Sequence, residues 1–367
     1  MWFKKNKEVA CNTVMKDKNN ILEIDNLQVY FNTETGIVKA VDGVTIDIPK
    51  NSTIGIVGES GCGKSVTSLT TMRLLQEPPG KICGGEIRLN LGDEAIDITK
   101  ASQEKMREIR GKNIAMIFQE PMTSLNPVFT IGEQMQEGIL VHEPGIGRKE
   151  LADRVISLLE MVGIARPEGI VKSYPHELSG GMKQRVVIAM ALSLNPSLVI
   201  ADEPTTALDV TIQAQVLELM RDLKHKTKAS IMLITHDLGV VAEMADYVVV
   251  MYAGKIVEYG TADDIFYDPR HPYTWALLSS MPDLDTEEKL EAIPGTPPNM
   301  IYPPVGDAFA ARNKYALKID FEQQPPQFEV TPSHWAATWL LHPEAPKVEP
   351  PHIIIERIER MKKRGGM

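Results

Sequence analysis

The chain has 367 residues, more than one typical domain, and its 43% hydrophobic and 24% charged residues are ordinary for a soluble globular protein. Its net charge of −10 argues against a broad nucleic-acid-binding surface, because such surfaces are basic. No apolar run approaches the roughly 20 residues of a membrane-spanning helix, so we expect no transmembrane segment.

Residues 1–20 are a polar tail that lacks the apolar core of a secretory signal. The three cysteines, Cys11, Cys62 and Cys83, form no even, regularly spaced framework for disulfides. We therefore expect the protein to reside in a reducing cytosol.

Short β-rich runs follow the tail and lead into a glycine-rich loop. The runs are ILEIDNLQVYF, IVKAVDGVTIDI and STIGIV, and residues 64–75, directly after the glycines, have a helical pattern. Strand, glycine loop and helix in this order are the context that a phosphate-binding loop requires. Two further strands are predicted at GGEIRLNL and IAMIF.

The loop GESGCGKS, residues 58–65, has the spacing of a nucleotide phosphate loop. It contains no proline, so consecutive backbone N–H groups can surround a β-phosphate. Lys64 is expected to reach the β- and γ-phosphates and Ser65 to bind Mg²⁺. The flanking strand and helix disfavour the alternative, a glycine-rich turn that only resembles the pattern. The candidate nucleotide contacts are Gly58, Ser60, Gly61, Cys62, Gly63, Lys64 and Ser65, with Cys62 expected to be a small filler residue.

Residues from about 121 to 195 have a helical pattern, which predicts an inserted helical lobe. The strand patterns SLVIADEP and SIMLITHD then flank the amphipathic helix TIQAQVLELMRDLKHK, an order that predicts a parallel sheet. YVVVMYAGKIVEYG predicts a hairpin that turns at Ala253 and Gly254. Frequent prolines after about residue 270 indicate a separate, loop-rich extension.

Two acids end the predicted strand LVIADEP. Asp202 is expected to hold Mg²⁺ through water, and Glu203 to orient or deprotonate the water that attacks the γ-phosphate. Because adjacent strand residues point to opposite sides, the two carboxylates can take different roles. An acidic strand edge without function is common in isolation, but this one occurs in a chain that already has the phosphate loop.

Gln119 and His236 each follow an apolar strand, where open α/β sheets place their ligand sites. Alone, each is more often a polar strand end. Together with the phosphate loop they are candidates for sensing the γ-phosphate in catalysis, and Gln119 is also a candidate metal ligand. Phe31, or alternatively Tyr30, is a candidate for stacking on adenine, although a plain core aromatic fits that position equally well.

LSGGMKQR, residues 178–185, places a capping serine and two glycines at the start of a predicted helix, which is a second anion site. The ordered set of phosphate loop, Gln119, LSGG, strand acids and His236 resembles the nucleotide-binding subunits of ATP-binding cassette (ABC) transporters. This resemblance implies an α/β P-loop NTPase fold with a RecA-like mixed sheet core, an antiparallel β subdomain and an inserted helical subdomain.

The same resemblance implies that two cassettes face each other head to tail. Ser179, Gly180 and Gly181 of one chain would then contact the ATP that the other chain's phosphate loop holds. Asp209 matches a position where family members touch across this interface. Met182 stands where many family members have glutamine.

Four stretches resemble the oligopeptide and dipeptide permease ATPases, a resemblance that covers residues from about 21 to 346. They are GVTIDIPKNSTIGIVGESGCGKS, FQEPMTSLNP, HPYTWALLSSMP and IPGTPPNMIYPPVGDAF. The domains expected are a tail at 1–20, an ABC nucleotide-binding domain at 21–270 and a permease-type C-terminal extension at 271–367. The helical subdomain is expected at about 121–195.

In that branch the extension commonly carries four cysteines that bind an iron–sulfur cluster. Since such clusters are held by cysteine thiolates, we expect no iron here, and ATP and Mg²⁺ are the expected cofactors. Oxygen ligands suit a hard cation in principle, but a metal-free segment packed around aromatic residues is favoured. The residues at the cysteine positions are Asp307, Asn313, Asp320 and Thr338. The aromatic residues are Phe309, Tyr315, Trp335 and Trp339.

The resemblance also implies partners: a second ABC ATPase subunit, two transmembrane permease subunits and an extracellular peptide-binding protein, with no nucleic acid. It implies peptide import across the cytoplasmic membrane, with this chain at the cytoplasmic face and residues 119–134 docked on a membrane subunit. Two other classes are open, a soluble cassette ATPase acting on ribosomes or DNA and a regulatory ATP-binding protein. One phosphate loop, one LSGG and an acidic composition disfavour the soluble cassette class.

Overall fold

The structure, a computed structural model, describes residues 11–119, 124–206, 208–281 and 293–364, and their side chains except those of 357 and 360–364. The strands are β1 (Asn12–Thr13), β2 (Asn20–Thr33), β3 (Gly36–Pro49), β4 (Thr53–Val57), β5 (Gly80–Asn90), β6 (Ala95–Asp97), β7 (Ile114–Ile117), β8 (Leu198–Asp202), β9 (Ser230–Ile234), β10 (Tyr247–Tyr252), β11 (Lys255–Thr261), β12 (Phe328–Thr331) and β13 (His334–Ala336). The α-helices are α1 (Lys64–Thr71), α2 (Gln103–Ile109), α3 (Ile131–His142), α4 (Arg148–Met161), α5 (Pro167–Ile170), α6 (Gly180–Leu192), α7 (Val210–Thr227), α8 (Leu238–Met244), α9 (Ala262–Tyr267), α10 (Pro272–Ser279) and α11 (His352–Arg364).

Some of the predicted segments lie partly outside the described residues. They are the tail at 1–10, the docking segment at 120–123, and the extension at 282–292 and 365–367.

Two sheets organise the described chain. A five-stranded antiparallel sheet has the order β1-β6-β5-β2-β3, and an eight-stranded mixed sheet has the order β12-β13-β11-β10-β4-β9-β8-β7. Within the larger sheet, β10, β4, β9, β8 and β7 run parallel, as the strand–helix–strand order predicts. Their carboxyl ends meet at one edge, which is where such sheets bind ligands.

Alternate residues of the parallel strands belong to different cores, so these strands are buried on both faces. In β8, Leu198 and Ile200 pack in a core shared with the antiparallel sheet, whereas Val199 and Ala201 pack against the helical lobe. The residues on the second face of β10 instead pack in a core that includes residues of the C-terminal extension. The mixed sheet therefore connects the antiparallel sheet, the helical lobe and the extension.

The predicted hairpin is present, since β10 and β11 pair with Tyr252 opposite Lys255. Its two turn residues, Ala253 and Gly254, have φ of 47° and 78°, the left-handed values that a two-residue hairpin turn requires.

One predicted helix is shorter than its pattern. Residues 64–75 have a helical pattern, but α1 ends at Thr71. Arg73 has φ of 50°, which is incompatible with a continuing right-handed helix. The Arg110 guanidinium donates hydrogen bonds to the carbonyl oxygens of Met72 and Arg73 at 3.0 and 2.9 Å. This tertiary contact supplies hydrogen-bond partners for the carbonyl oxygens at the end of the helix.

Short strands from the expected tail and from the expected extension join the two sheets. Part of the expected tail, Asn12–Thr13, pairs with β6, and β13 of the expected separate extension pairs with β11. Strands of two to four residues are too short to show an alternating pattern, which is why the sequence gives no sign of them. Among the residues described, no helix has the length and apolarity needed to span a bilayer.

Candidate active site

The phosphate loop joins β4 to α1, as the motif requires. All five residues of β4 are buried, and the chain then turns through Gly58. A Cβ atom at Gly58 would lie 2.2 Å from the Met251 carbonyl oxygen, and one at Gly63 would lie 2.5 Å from that of Ala40. Because backbone atoms cannot yield like a flexible side chain, only glycine fits at these two positions.

The Lys64 side chain is folded into the loop. Its Nζ donates hydrogen bonds to the carbonyl oxygens of Gly58 at 2.7 Å and Glu59 at 3.1 Å, and only 5% of the residue is exposed. Cys62 is also buried, with its Sγ 3.7 Å from Lys64 Nζ. Burial raises the pKa of the Cys62 thiol, so this side chain stays neutral, in keeping with a filler role.

A set of oxygen atoms lies where the sequence predicts the metal. Ser65 Oγ donates to Asp202 Oδ1 at 3.1 Å, and Ser68 Oγ donates to Asp202 Oδ2 at 3.1 Å. Burial raises the pKa of Asp202, and the two serine hydrogen bonds oppose that shift. A hydroxyl beside a carboxylate is the hard-oxygen donor set that Mg²⁺ prefers, so these residues fit the ion. Ser68 has no place in the motif and sequence reasoning missed it.

Glu203 is the meeting point of three side chains from different parts of the chain. Its Oε2 accepts hydrogen bonds from Gln119 Nε2 and Thr206 Oγ1, both at 3.0 Å. Its Oε1 lies 3.5 Å from His236 Nδ1. The structure therefore brings together the three residues that the sequence nominates for catalysis, and it adds Thr206.

The backbone at Glu203 is unusual. Its φ is 48°, in the left-handed region that non-glycine residues rarely adopt, and its N–H donates to the Ile234 carbonyl oxygen at 2.8 Å. This turn directs the Glu203 carboxylate toward Gln119 and His236, while the Asp202 carboxylate points toward α1. Strain of this kind is typical of functional residues.

The second glycine motif lies on other elements. Ser179 caps α6 by accepting the Met182 N–H at 3.3 Å, and both Ser179 and Gly180 are exposed. A side chain at Gly180 would meet open space, whereas a Cβ at Gly181 would lie 2.9 Å from Ile212 of α7. Helix α6 lies against α3, α4, α7 and β7, whereas α1 lies against β3 and β8. The motif thus presents its serine and first glycine outward.

Gln184 connects this motif to the residue that follows the strand acids, whereas Asp209 lies at the start of the neighbouring helix α7. Gln184 of α6 is fully buried, and its Nε2 donates to the Pro204 carbonyl oxygen at 2.7 Å. Asp209 is exposed and caps α7 by accepting the Ile212 N–H at 3.0 Å. In the sequence, only its position within LSGGMKQR singles out Gln184. That position does not indicate that the Pro204 carbonyl oxygen is its partner.

The two candidate aromatics differ in their surroundings. The Tyr30 hydroxyl donates to Asp42 Oδ1 at 2.6 Å, and Lys39 Nζ lies 5.4 Å from the ring centroid. Burial raises the pKa of Tyr30 to about 12. Phe31, the next residue of β2, points to the other face of the strand and is half-buried against the core. Because Tyr30 is held by Asp42, Phe31 is the better candidate for adenine.

The four residues expected to match the family's cysteines each stabilise the local backbone. Asp307, Asn313 and Thr338 accept hydrogen bonds from the N–H groups two residues later, at 3.0, 2.9 and 3.3 Å. Asp320 accepts the Leu317 N–H at 2.6 Å. No group of three or more His, Cys, Asp or Glu side chains suited to a metal occurs in the part of the chain that is described.

The aromatic residues expected to pack this segment lie in two groups. Tyr315 meets Trp275 edge to face at 5.5 Å between ring centroids, and Phe309 is buried among other rings. Trp339 instead packs on Phe328 at 6.2 Å, and Trp335 belongs to β13.

Comparisons with known proteins agree with this geometry. A family model described as ABC transporter matches residues 41–206, and one described as oligopeptide/dipeptide transporter, C-terminal region, matches residues 257–319. The chain is 57% identical over 343 residues to the oligopeptide transport ATP-binding protein OppD of Bacillus subtilis, covering 93% of this chain and 94% of the relative. It is 52% identical over 347 residues to the dipeptide transport ATP-binding protein DppD of Lactococcus lactis, covering 94% and 98%.

Solved structures with the same fold include dimeric MJ0796, a bacterial ABC transporter cassette. The likeness to it has a TM-score of 0.58 at 25% identity, over 66% of this chain and 98% of that one. cbiO1 from Clostridium perfringens, part of an ABC transporter complex, gives a TM-score of 0.58 at 26% identity, over 68% and 92%. These likenesses confirm the α/β fold with an antiparallel subdomain and a helical subdomain that the sequence predicts.

Proposed function

Because the chain belongs to the ABC transporter family, in the branch of the oligopeptide and dipeptide transport ATP-binding proteins, we propose that it binds and hydrolyses ATP to power peptide uptake. The observation that carries this function is the convergence of Gln119, Thr206 and His236 on Glu203, beside the phosphate loop. Such a cluster can direct one water molecule, which is what phosphate hydrolysis requires.

The phosphate loop holds the triphosphate. The Lys64 ammonium is already inside the loop, where it donates hydrogen bonds to the carbonyl oxygens of Gly58 and Glu59. Phosphate oxygens are stronger acceptors for an ammonium than neutral carbonyls, so Lys64 transfers its hydrogen bonds to them when ATP binds. Phe31 stacks on the adenine from the neighbouring hairpin.

Ser65 would bind Mg²⁺ and Asp202 would hold it through water, with Gln119, just after β7, as a further ligand. The ion neutralises charge on the phosphates when it is bound. Asp202 is buried with a raised pKa, so a nearby cation favours its ionised form. Ser68 keeps the second Asp202 oxygen in place.

Glu203 accepts the proton of the attacking water. Gln119 and Thr206 share its Oε2, so they fix the carboxylate and leave Oε1 facing His236. His236, whose side chain is 59% exposed, is free to turn toward the γ-phosphate. Glu203 therefore acts on the attacking water and His236 on the γ-phosphate.

The exposed serine motif serves the nucleotide of a neighbouring ATPase subunit. Ser179 and Gly180 face outward, and Asp209 and Val210 at the start of α7 are exposed as well, Val210 at 84%. An exposed helix N-terminus with a free glycine backbone suits a phosphate that another chain presents. The head-to-tail pair closes when ATP binds and opens after hydrolysis.

The coupling surface to the membrane subunits lies next to Gln119. Phe118, Val128 and Phe129 are 38%, 71% and 48% exposed, which is unusual for large apolar side chains in one region. We place a cytoplasmic loop of a permease subunit on this surface. Movement of Gln119 on loss of the γ-phosphate then reaches the membrane pore through residues 119–134, of which residues 120–123 lie outside the described chain.

The C-terminal extension carries no iron–sulfur cluster in this proposal. Oxygen atoms replace the cysteine sulfurs, and all four side chains are used as backbone hydrogen-bond acceptors. Elemental analysis of protein purified without oxygen tests this directly. We expect iron far below one atom per chain, and stoichiometric iron would overturn it.

The complete assembly contains this chain, a second ATPase subunit, two transmembrane permease subunits and an extracellular peptide-binding protein, with this chain at the cytoplasmic face. The test is uptake of a labelled peptide by vesicles that contain the purified assembly. We expect uptake that needs ATP and stops with Lys64→Ala. Co-purification with ribosomes or DNA and no permease would instead support a soluble cassette ATPase.

A further inference from the structure

Glu59, the second residue of the phosphate loop, has all its polar groups engaged. Its N–H donates to the Tyr273 hydroxyl at 2.8 Å, and its carbonyl oxygen accepts from Lys64 Nζ at 3.1 Å. Its carboxylate accepts two hydrogen bonds from the Arg312 guanidinium, at 2.6 and 2.9 Å. Both Tyr273 and Arg312 come from the C-terminal segment at residues 257–319.

Tyr273 reaches the loop because the sequence HPY begins helix α10. His271 caps this helix by accepting the Tyr273 N–H at 3.0 Å, and Pro272 is its first residue. The Tyr273 ring is fully buried, with centroids 4.6 Å from Tyr252 and 5.2 Å from Phe309. Burial raises the pKa of Tyr273, so its hydroxyl stays neutral beside the loop. The packed ring therefore fixes where the oxygen lies.

Contacts other than those with Glu59 also hold the Arg312 side chain in place. Its Nε donates to the Pro294 carbonyl oxygen at 2.8 Å, and one terminal nitrogen also donates to the Tyr252 hydroxyl at 3.1 Å. The guanidinium carbon lies 5.7 and 5.9 Å from the ring centroids of Tyr252 and Phe309. Only 6% of the side chain is exposed. A guanidinium fixed in this way can orient a carboxylate with little further loss of entropy.

The charge of Glu59 makes this contact important for nucleotide binding. The carboxylate belongs to the loop that accepts a triphosphate, and two nearby negative groups repel each other. The bidentate Arg312 contact neutralises the carboxylate and directs it to the extension side of the loop. The two carbonyl oxygens that accept hydrogen bonds from Lys64 Nζ belong to Gly58 and Glu59, so a shift of the Glu59 backbone would displace both contacts.

We propose that Arg312 and Tyr273 are positioning residues for nucleotide binding, which fix the phosphate loop through Glu59 and so make ATP affinity depend on the C-terminal segment. This inference rests on the proposed ATPase function. It assigns a role to the HPY sequence, which the ATP-binding and catalytic residues leave unexplained.

Binding of a fluorescent ATP analogue to the full chain tests the inference. We expect Arg312→Ala to raise the Kd about tenfold, Arg312→Lys to restore part of the loss, and Tyr273→Phe to raise the Kd about threefold. In a Glu59→Ala background, adding Arg312→Ala should change the Kd less than about twofold, because the contact is already lost. The matched control is Lys318→Ala, which removes an exposed ion pair with Glu322 in the same segment.

The assembled transporter gives a second measurement. Arg312→Ala should raise KM for ATP with kcat within about twofold of wild type, because Glu203 and its neighbours are untouched. A merely structural role would lower the active fraction and kcat at unchanged KM. If Arg312→Ala does not fold, Tyr273→Phe decides by the same measurements.

Unchanged Kd and KM in Arg312→Ala or Tyr273→Phe would overturn the inference, as would a full tenfold effect of Arg312→Ala in the Glu59→Ala background. A wild-type chain that binds no ATP, or one that binds it equally well with Lys64→Ala, would contradict the proposed function itself. The two failures are therefore distinguishable.

Discussion

Gln119 Nε2 donates a hydrogen bond to Glu203 Oε2 at 3.0 Å, and this contact joins residues that are 84 positions apart. It connects the end of β7 to the end of β8, and it lies beside the exposed apolar surface of Phe118. The group proposed to activate water is thus in direct contact with the segment proposed to meet the membrane subunits.

Loss of the Gln119 amide should impair both hydrolysis and coupling. We expect Gln119→Ala to lower ATPase activity about tenfold, because the Glu203 carboxylate loses one of two groups that fix it. ATP affinity should change less than about threefold, since the phosphate loop and the other proposed Mg²⁺ ligands, Ser65 and Asp202, are intact. The readouts are steady-state ATPase and peptide uptake per ATP, with the exposed Gln103→Ala as control. Normal hydrolysis by Gln119→Ala would remove Gln119 from the catalytic cluster.

Glu203→Gln should separate ATP binding from turnover. A general base typically contributes 10²- to 10⁴-fold in rate, and glutamine keeps the shape without the proton acceptor. We expect the variant to bind ATP normally, to lose hydrolysis by at least about 10²-fold and to accumulate the closed pair of ATPase subunits. Glu218→Gln on the exposed side of α7 is the matched control. Hydrolysis at the wild-type rate would exclude Glu203 as the base.

The apolar surface next to Gln119 should be needed for transport but not for ATP binding. We expect Val128→Asp together with Phe129→Asp to abolish peptide uptake, because a buried unpaired charge at the interface opposes docking. Binding of the fluorescent ATP analogue should stay within about twofold of wild type. Val305→Asp, at a residue of the extension that is 81% exposed, is the control. Undiminished uptake by the double variant would place the membrane contact elsewhere.

Asp307 should make folding stability depend on pH. Burial raises the pKa of Asp307 to about 6, from 3.8 for an unperturbed group, with the nearby Asp320 charge adding to the shift. The folded chain therefore binds a proton more tightly than the unfolded chain, so wild type loses stability as pH rises from about 4 to 6. Asp307→Asn removes this loss. Its gain in unfolding free energy should reach at most about 3 kcal/mol at pH 8 and vanish near pH 4.

Urea unfolding of wild type and Asp307→Asn at both pH values measures this difference. The exposed Asp153→Asn is the control and should show no pH-dependent gain. A variant that is less stable than wild type at pH 8 would contradict a buried, proton-binding Asp307.

The residues proposed to bind and cleave ATP could be nominated from the sequence because each lies in a short motif or at a strand end. The phosphate loop is continuous in sequence, and Asp202, Glu203 and His236 directly follow apolar strands. Parallel strands bring such ends together whatever the loops between them do. Local chemistry and sheet topology were sufficient to predict that Gln119, Glu203 and His236 lie close together.

The residues that support the site could not be predicted in the same way. Arg312 lies 253 positions from Glu59, and Gln184 contacts a carbonyl oxygen, which has no sequence signature. Thr206 is one of two threonines after the strand acids, and only the backbone turn at Glu203 decides which one donates to it. Tertiary contacts of this kind follow from packing rather than from a local pattern.

In the proposed assembly, one copy of this chain holds half of the machinery that cleaves ATP, and a neighbouring ATPase subunit supplies the rest. The most direct measurement is ATPase activity of the isolated chain at concentrations where light scattering shows a monomer, with and without Ser179→Ala and Gly180→Ala. We predict that the monomer binds ATP but hydrolyses it at a small fraction of the rate of the assembled transporter. Full-rate hydrolysis by a monomer that carries both substitutions would show that no neighbouring subunit is needed.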